Sequence, residues 1–302
     1  MEQSKNILIT GGTGFIGSYL CEELMRRGHY LTILTRSPEK YSDQSAKNQT
    51  FVSWEAPLVL EMDKADVVIN LVGENIFGKR WTAEVKEKIY NSRIRTTKLL
   101  VDAMRKTDNR PELFISASGI NFYKSKGDEV IDESDQQAMD FLAKVCADWE
   151  SEALKAEELK IRTAIPRIAP VLQDNGGMIE KMKLPFQLFI GGALGSGNQY
   201  VSWIHMHDLC NAIIFPMENR ELTGAYNATS PSPVIMDEFV KTLGKVMNRP
   251  SFFKVPGFGL KTLLGEGAEP ILSSLRVQPK VLQTSGFEFV FEDLEEALAD
   301  IL

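Results

Sequence analysis

The segment Thr10-Gly11-Gly12-Thr13-Gly14-Phe15-Ile16-Gly17 has the composition needed to hold a pyrophosphate. Gly11 permits a tight turn, Gly14 lets the backbone approach the phosphates, and Gly17 admits close helix–strand packing. Backbone N–H groups from Thr13 through Ile16, with the positive end of a helix starting near Phe15, would hold the anion. Alone, this glycine spacing is a weak signal. It becomes a strong one directly after a short apolar run and before an amphipathic helix. Arg36 stands nineteen residues after Gly17, at the end of the next strand pattern. An acidic residue there would accept from a ribose 2′-hydroxyl, whereas an arginine suits a 2′-phosphate and therefore NADP. The alternative for Arg36 is an ordinary surface charge at a strand end.

Other residues could also carry chemistry. Glu74 follows the fourth strand pattern, at the edge where ligands bind in open α/β sheets, and is a candidate acid or base. His205 and His207 could face one side of a strand, but no third ligand lies nearby and no metal is expected. The run Gly191–Gly197 lacks the Gly-Lys-Ser/Thr of a phosphate loop and reads as a mobile or closely packed loop, or a plain connector. Cys21, Cys146 and Cys210 form no CxxC pair and read as buried free thiols of a reducing compartment.

These residues need a frame, and the apolar patterning supplies one. Asn6–Thr10, Tyr30–Leu34, Thr50–Trp54, Asp66–Val72, Leu113–Ser116 and Arg162–Ile168 read as strands. Helical spacing over Phe15–Arg27, Thr82–Lys106 and Phe141–Glu158 alternates with them. Such alternation implies a Rossmann-type, doubly wound parallel α/β sheet. Beyond Pro170 the pattern loosens. Met178–Phe189, Asp208–Met217, Met236–Met247 and Leu294–Leu302 read as helices, and Val201–His205 and Gly224–Thr229 as strands. The expected organisation is a dinucleotide-binding domain over residues 1–230 and a smaller substrate-side lobe over 248–296. The chain has 302 residues and a net charge of −7, without a basic block, which argues against nucleic acid or an anionic membrane as partner. No stretch approaches the roughly 20 apolar residues of a membrane span. Met1–Lys5 shows no leader pattern, so a cytoplasmic setting is expected. A small molecule is the expected partner, and a homodimer the assembly open to such a chain.

Several motifs together resemble the extended short-chain dehydrogenase/reductases. These are the glycine turn, Asp66–Gly73 ending Asn-Leu-Val-Gly, and Ser116-Ala117-Ser118. Gly73-Glu74-Asn75-Ile76 with Lys79-Arg80-Trp81, Ser92-Arg93, Gly127-Asp128-Glu129 and Asp148-Trp149-Glu150 narrow the match, as do Ser202-Trp203-Ile204-His205, Asn248-Arg249-Pro250 and Gly286-Phe287. They resemble an atypical, epimerase-like subgroup, sometimes labelled cell-division-inhibitor-like, with a C-terminal domain of unknown function. The resemblance implies that Thr35 and Arg36 take the 2′-phosphate and that Leu71, Val72 and Gly73 line the adenosine side. It also implies that Arg93 reaches the cofactor and that the backbone at Arg167–Pro170 passes the nicotinamide.

Members of the wider superfamily use a serine with a Tyr-x-x-x-Lys pair, and Ser118 matches the serine. The helix that should carry the pair reads Phe141-Leu142-Ala143-Lys144-Val145-Cys146, without a tyrosine. Tyr123 could replace the missing phenol if its loop folds over the nicotinamide; otherwise it is a packing aromatic. The reading is therefore an NADP-dependent oxidoreductase or epimerase with unorthodox acid/base residues, with Ser118, Tyr123 and Glu74 as candidates. The alternative is a non-catalytic NADP(H) sensor or regulatory protein.

Overall fold

A computed structural model describes residues 4–44 and 47–302; the expectation drawn from Met1–Lys5 lies largely outside them. Strands β1 (Asn6–Thr10), β2 (Tyr30–Thr35), β3 (Gln49–Ser53), β4 (Val67–Asn70) and β5 (Leu113–Ser116) join Arg162–Ile168 and Gly224–Ala228 in one sheet. All neighbours are parallel, in the order β3, β2, β1, β4, β5, Arg162–Ile168, Gly224–Ala228. The two-residue stretch Ser118–Gly119 continues alongside Arg162–Ile168.

Both faces of this sheet are buried, and the strand residues divide between them by alternation. Ile7 and Ile9 of β1 pack with Leu20 and Leu24 of α1 (Phe15–Arg26) in one core. Leu8, Val68 and Phe114 point the other way, against Met62 of α2 (Leu58–Met62) and Leu100 and Met104 of α3 (Ala83–Lys106). Chain order runs outward from β1 on one side and from β4 on the other. That reversal opens a crevice at the carboxyl ends of β1 and β4, where the sheet can receive a ligand.

Differences from the sequence reading are local. β4 is shorter than Asp66–Val72 because the chain leaves the ladder after Asn70; only the Leu71 N–H still reaches a neighbour, the Thr10 carbonyl at 3.0 Å. The helix expected over Phe141–Glu158 is α4 (Phe141–Leu154), capped by Asp140, whose carboxylate accepts from the Ala143 N–H at 3.0 Å. Val201–His205 is not one strand. Tyr200–Val201 pairs with Val234–Ile235, and Ile204–His205 pairs with Val171–Leu172. Gly191–Gly197 is closely packed: Gly192–Leu194 runs parallel to Phe253–Val255, and a Cβ on Gly192 would fall 1.6 Å from the Phe253 carbonyl oxygen.

Helices α5 (Gly177–Gln187), α6 (Met206–Glu218) and α7 (Met236–Met247) follow in the second half of the chain, and α5, α7 and the last helix, Leu294–Ile301, share a second core. Between them, α8 (Gly257–Leu264) and the single turn α9 (Glu269–Leu272) turn back toward the first half. That return is fixed by Arg276–Val277 pairing with Val130–Ile131, and by the Ser202 hydroxyl donating to the Leu275 carbonyl at 2.7 Å.

Candidate functional site

At the crevice, the glycine turn has the geometry its composition implies. Gly11 has φ +75°, and a Cβ there would meet the Leu71 carbonyl carbon at 2.9 Å. A Cβ on Gly17 would lie 2.1 Å from the Gly11 oxygen, so helix and turn touch only because neither has a side chain. Gly14 caps α1 without any side-chain hydrogen bond, and Thr13 and Gly14 are exposed. The first N–H groups of α1 therefore open to the crevice, with the positive end of the helix behind them. Phe15 does not face a ligand freely. Its ring lies under Gly176 and Gly177, where added Cβ atoms would sit 2.4 and 3.2 Å away.

Arg36 follows β2 directly and is exposed, and its guanidinium makes no hydrogen bond or ion pair within the described residues. Thr35 is buried, and its hydroxyl accepts from the Ser37 N–H at 3.5 Å. Leu71 and Val72 are half-buried beside the glycine turn, and Gly73 is exposed. Arg93, expected to reach the cofactor, sits against the turn after β4. Its guanidinium lies beneath Gly73, donates to the Ile89 and Glu74 carbonyls at 3.0 and 3.1 Å, and stacks 5.2 Å from the Trp149 ring. Burial holds its pKa below the ordinary value. Ser92 completes the support by accepting from the Glu74 N–H at 3.0 Å. The Ser92-Arg93 pair thus props the turn after β4, while the Glu74 carboxylate faces outward to Lys79 at 3.0 Å.

Ser118, Tyr123 and Arg167 meet in one buried network, centred on Glu150, a residue of the Asp148-Trp149-Glu150 motif for which the sequence implied no role. Glu150, on α4, accepts from Arg167 Nε at 2.8 Å and Nη2 at 2.7 Å, and from the Ser118 hydroxyl at 2.6 Å. Arg167 Nη1 donates to the Tyr123 hydroxyl at 2.8 Å, and that hydroxyl donates to Asn227 Oδ1 at 2.7 Å. The guanidinium also stacks 3.6 Å from the Phe122 ring. Burial works against the charge of Arg167, but its bonds to Glu150 outweigh this and hold its pKa above the ordinary arginine value.

Tyr123, a candidate acid/base or otherwise a packing aromatic, has its hydroxyl engaged on both sides. Its hydroxyl does not stand free over a substrate, because Asn227 takes its proton and Arg167 fills an acceptor position. Burial, only partly opposed by Arg167, pushes its pKa up to about 12, far from that of a group exchanging protons near neutrality. Ser118 has its proton committed to Glu150, which leaves it able to accept but not to donate. A signal for the network was present in sequence. Glu150 sits in the stripe Leu142, Val145, Cys146, Trp149 and Ala153, and Arg167 is the one inner charge of Arg162–Ile168. Opposite charges in two apolar elements need each other, since neither is affordable alone in a low-dielectric interior.

A second polar thread ties the strand ends together. Thr10 donates to Asn70 Oδ1 at 2.7 Å, and Asn70 Nδ2 donates to Thr97 at 2.9 Å and Ser116 at 3.2 Å. Trp149 Nε1 also donates to Thr97, at 2.9 Å. The carboxyl ends of β1, β4 and β5 are therefore held to α3 and α4, which makes the crevice floor rigid. His205 is not on a strand face with His207: it caps α6, its Nδ1 accepting from the His207 N–H at 3.2 Å.

Beyond β5 lies a cavity of about 400 Å³. Trp81, Tyr123 and Leu142 wall it on one side, and Lys261, Glu269 and Leu272 on the other.

Comparison with known proteins agrees with this geometry. Residues 7–228 match the NAD dependent epimerase/dehydratase family, and residues 255–301 match a domain of unknown function, DUF1731. The chain is 38% identical over 312 residues to the chloroplastic epimerase family protein SDR39U1 homolog of Arabidopsis thaliana, covering 100% of this chain and 88% of that protein. It is 37% identical to epimerase family protein YfhF of Bacillus subtilis, covering 98% of each. The crystal structure of human epimerase family protein SDR39U1 (isoform 2) with NADPH superposes with a TM-score of 0.89 at 29% identity, covering 98% of each chain. With its glycine turn, its parallel sheet and a family match spanning most of its length, this chain belongs to the NAD dependent epimerase/dehydratase family.

Proposed function

We propose that the chain binds NADP(H) in the crevice between β1 and β4 and uses it as an oxidoreductase or epimerase on a small molecule. The observation that carries this reading is Arg36, an uncommitted guanidinium one residue beyond β2, on the edge that bears the open N-terminus of α1. A charge-assisted bond from Arg36 to a 2′-phosphate contributes about 1.5–3 kcal/mol. The human relative solved with NADPH supports the same cofactor. Here the cofactor would supply or take a hydride; Gly11–Gly17 would hold its pyrophosphate, and Leu71–Gly73 would flank its adenosine. The cavity beyond β5 gives a second molecule a place at the far end of the same edge. Three buried free cysteines are in keeping with a reducing, cytoplasmic setting.

One observation favours the second reading, a cofactor-holding sensor without turnover. Both Ser118 and Tyr123 have their hydroxyl protons engaged in the network around Glu150, and the outward Glu74 is paired with Lys79. The two readings separate in a direct experiment. Purified chain loaded with NADPH is challenged with aldehydes, ketones and sugar derivatives while the reduced nicotinamide absorbance is followed. Oxidation in step with product supports the enzyme. Saturable binding of NADPH with no turnover across the panel supports the sensor. A Ser118→Ala variant that turns over a discovered substrate at the normal rate would remove Ser118 from the chemistry.

A further inference from the structure

We infer that the C-terminal domain of unknown function forms the specificity wall of the substrate cavity, and that this cavity takes an uncharged, partly apolar carbonyl compound and excludes nucleoside diphosphates. The inference rests on the cofactor reading for the word carbonyl, and on the cavity itself for the rest. The cavity lies between the two family segments. Trp81, Tyr123 and Leu142 come from the part matching the epimerase family, and Lys261, Glu269 and Leu272 from residues 255–301. Without the C-terminal segment it would be an open ledge.

That second wall is firmly seated. Lys86 pairs with Glu266, and Lys280 with Asp132 at 2.7 Å. Arg276 Nη1 donates to the Asp128 carbonyl at 3.1 Å, and the Ser274 N–H to the Ser125 hydroxyl at 3.2 Å. Gly267 lies so close to the first half that a Cβ there would come within 2.8 Å of the Lys79 carbonyl oxygen. These bonds cross the boundary on several sides, so the cavity has a defined shape.

The lining chemistry then selects the ligand. Its charged members are one ammonium, Lys261, and two carboxylates, Asp140 and Glu269; it contains no arginine. A diphosphate is held by arginine forks, by several cations or by an open helix N-terminus. Two helices start at this cavity, α4, whose N-terminus is closed by the Asp140 carboxylate, and the single turn α9, whose first residue is Glu269; either carboxylate would repel a phosphate. The rest of the wall mixes uncharged polar side chains, Asn121, Ser125 and Ser273, with Leu142, Leu272, Leu275 and the Trp81 ring, whose N–H is already given to the Ile76 carbonyl at 2.9 Å. An uncharged ligand is the one that loses least on entering.

Calorimetric titration of the full chain, with and without NADPH, against acetonaphthone and against UDP-glucose tests this. Acetonaphthone is expected to bind saturably. Leu272→Trp, which fills the cavity, should weaken it at least about tenfold, roughly the loss of one good apolar contact, while NADPH affinity stays within about twofold. UDP-glucose is expected to show no saturable binding to the unmodified chain and to gain it in Glu269→Lys, which reverses a wall charge without filling space. UDP-glucose binding more tightly than acetonaphthone, or acetonaphthone binding that neither variant alters, would overturn the inference. Loss of NADPH binding alongside intact, Leu272-sensitive ketone binding would instead overturn the cofactor assignment and leave the cavity assignment standing.

Discussion

Replacing Glu150 with alanine tests the network that organises the carboxyl edge of the sheet. In the native chain the Glu150 and Arg167 side chains are 8% and 7% exposed and share a two-pronged bond, with Ser118 as third partner. Glu150→Ala leaves the guanidinium buried with only the Tyr123 hydroxyl and the Phe122 ring, and leaves the Ser118 proton without an acceptor. Breaking a buried pair from one side costs about 3–5 kcal/mol. At about 2 °C per kcal/mol for a chain of this length, the melting temperature should fall by about 6–10 °C. Removing both charges is a different perturbation. In Glu150→Leu with Arg167→Met, apolar groups of similar volume replace the pair, and such exchanges are often close to neutral. The double variant should therefore recover more than half of the loss in denaturant unfolding followed by circular dichroism. A single variant that loses less than about 1 kcal/mol, or a double variant no better than the single, would refute the view that an unpaired buried charge dominates here.

Two further perturbations follow from the same geometry. Gly17→Ala places a methyl 2.1 Å from the Gly11 oxygen, so the turn must open. A loss of about 1–3 kcal/mol in unfolding free energy and at least a tenfold weaker NADPH affinity are expected, and unchanged NADPH affinity would remove the turn from the cofactor site. Asp132 ties the C-terminal segment to the first half through Lys280; that bond and the Ser134 hydroxyl hold its pKa down to about 2. Because the folded value lies below the unfolded one, the stabilisation is complete above the ordinary carboxylate range and is lost as pH falls toward 2. Asp132→Asn should therefore be less stable than the native chain by up to about 1 kcal/mol near neutrality, with the gap closing in acid. A gap independent of pH would mean that the carboxylate charge plays no part.

The strand, glycine turn and helix were legible in sequence because these elements are contiguous. Glycines, strand and helix lie within Asn6–Arg26, and Arg36 follows the next strand without an intervening loop. Short apolar runs, of the kind buried on both faces of a parallel sheet, likewise identified β1, β2 and β5. What could not be read was assembled from distant segments. Tyr123 finds Asn227 across 104 residues, and Ser118 finds Glu150 across 32. The cavity joins Trp81, Leu142 and Leu272, which no local pattern relates. Where the chain forms only two-residue strands, as at Tyr200–Val201 and Ile204–His205, neighbouring backbone decided the structure in place of propensity.

Cofactor choice turns on the guanidinium of Arg36, which has no partner among the described residues. Calorimetric titration of the purified chain with NADPH and with NADH, repeated for Arg36→Ala, isolates its contribution. A preference for NADPH of about ten- to hundredfold is predicted for the native chain, from one charge-assisted contact to the 2′-phosphate. In Arg36→Ala that preference should shrink to within about threefold through loss of NADPH affinity alone, with NADH binding unchanged. Equal affinities for the two cofactors in the native chain would contradict the assignment of this crevice to NADP.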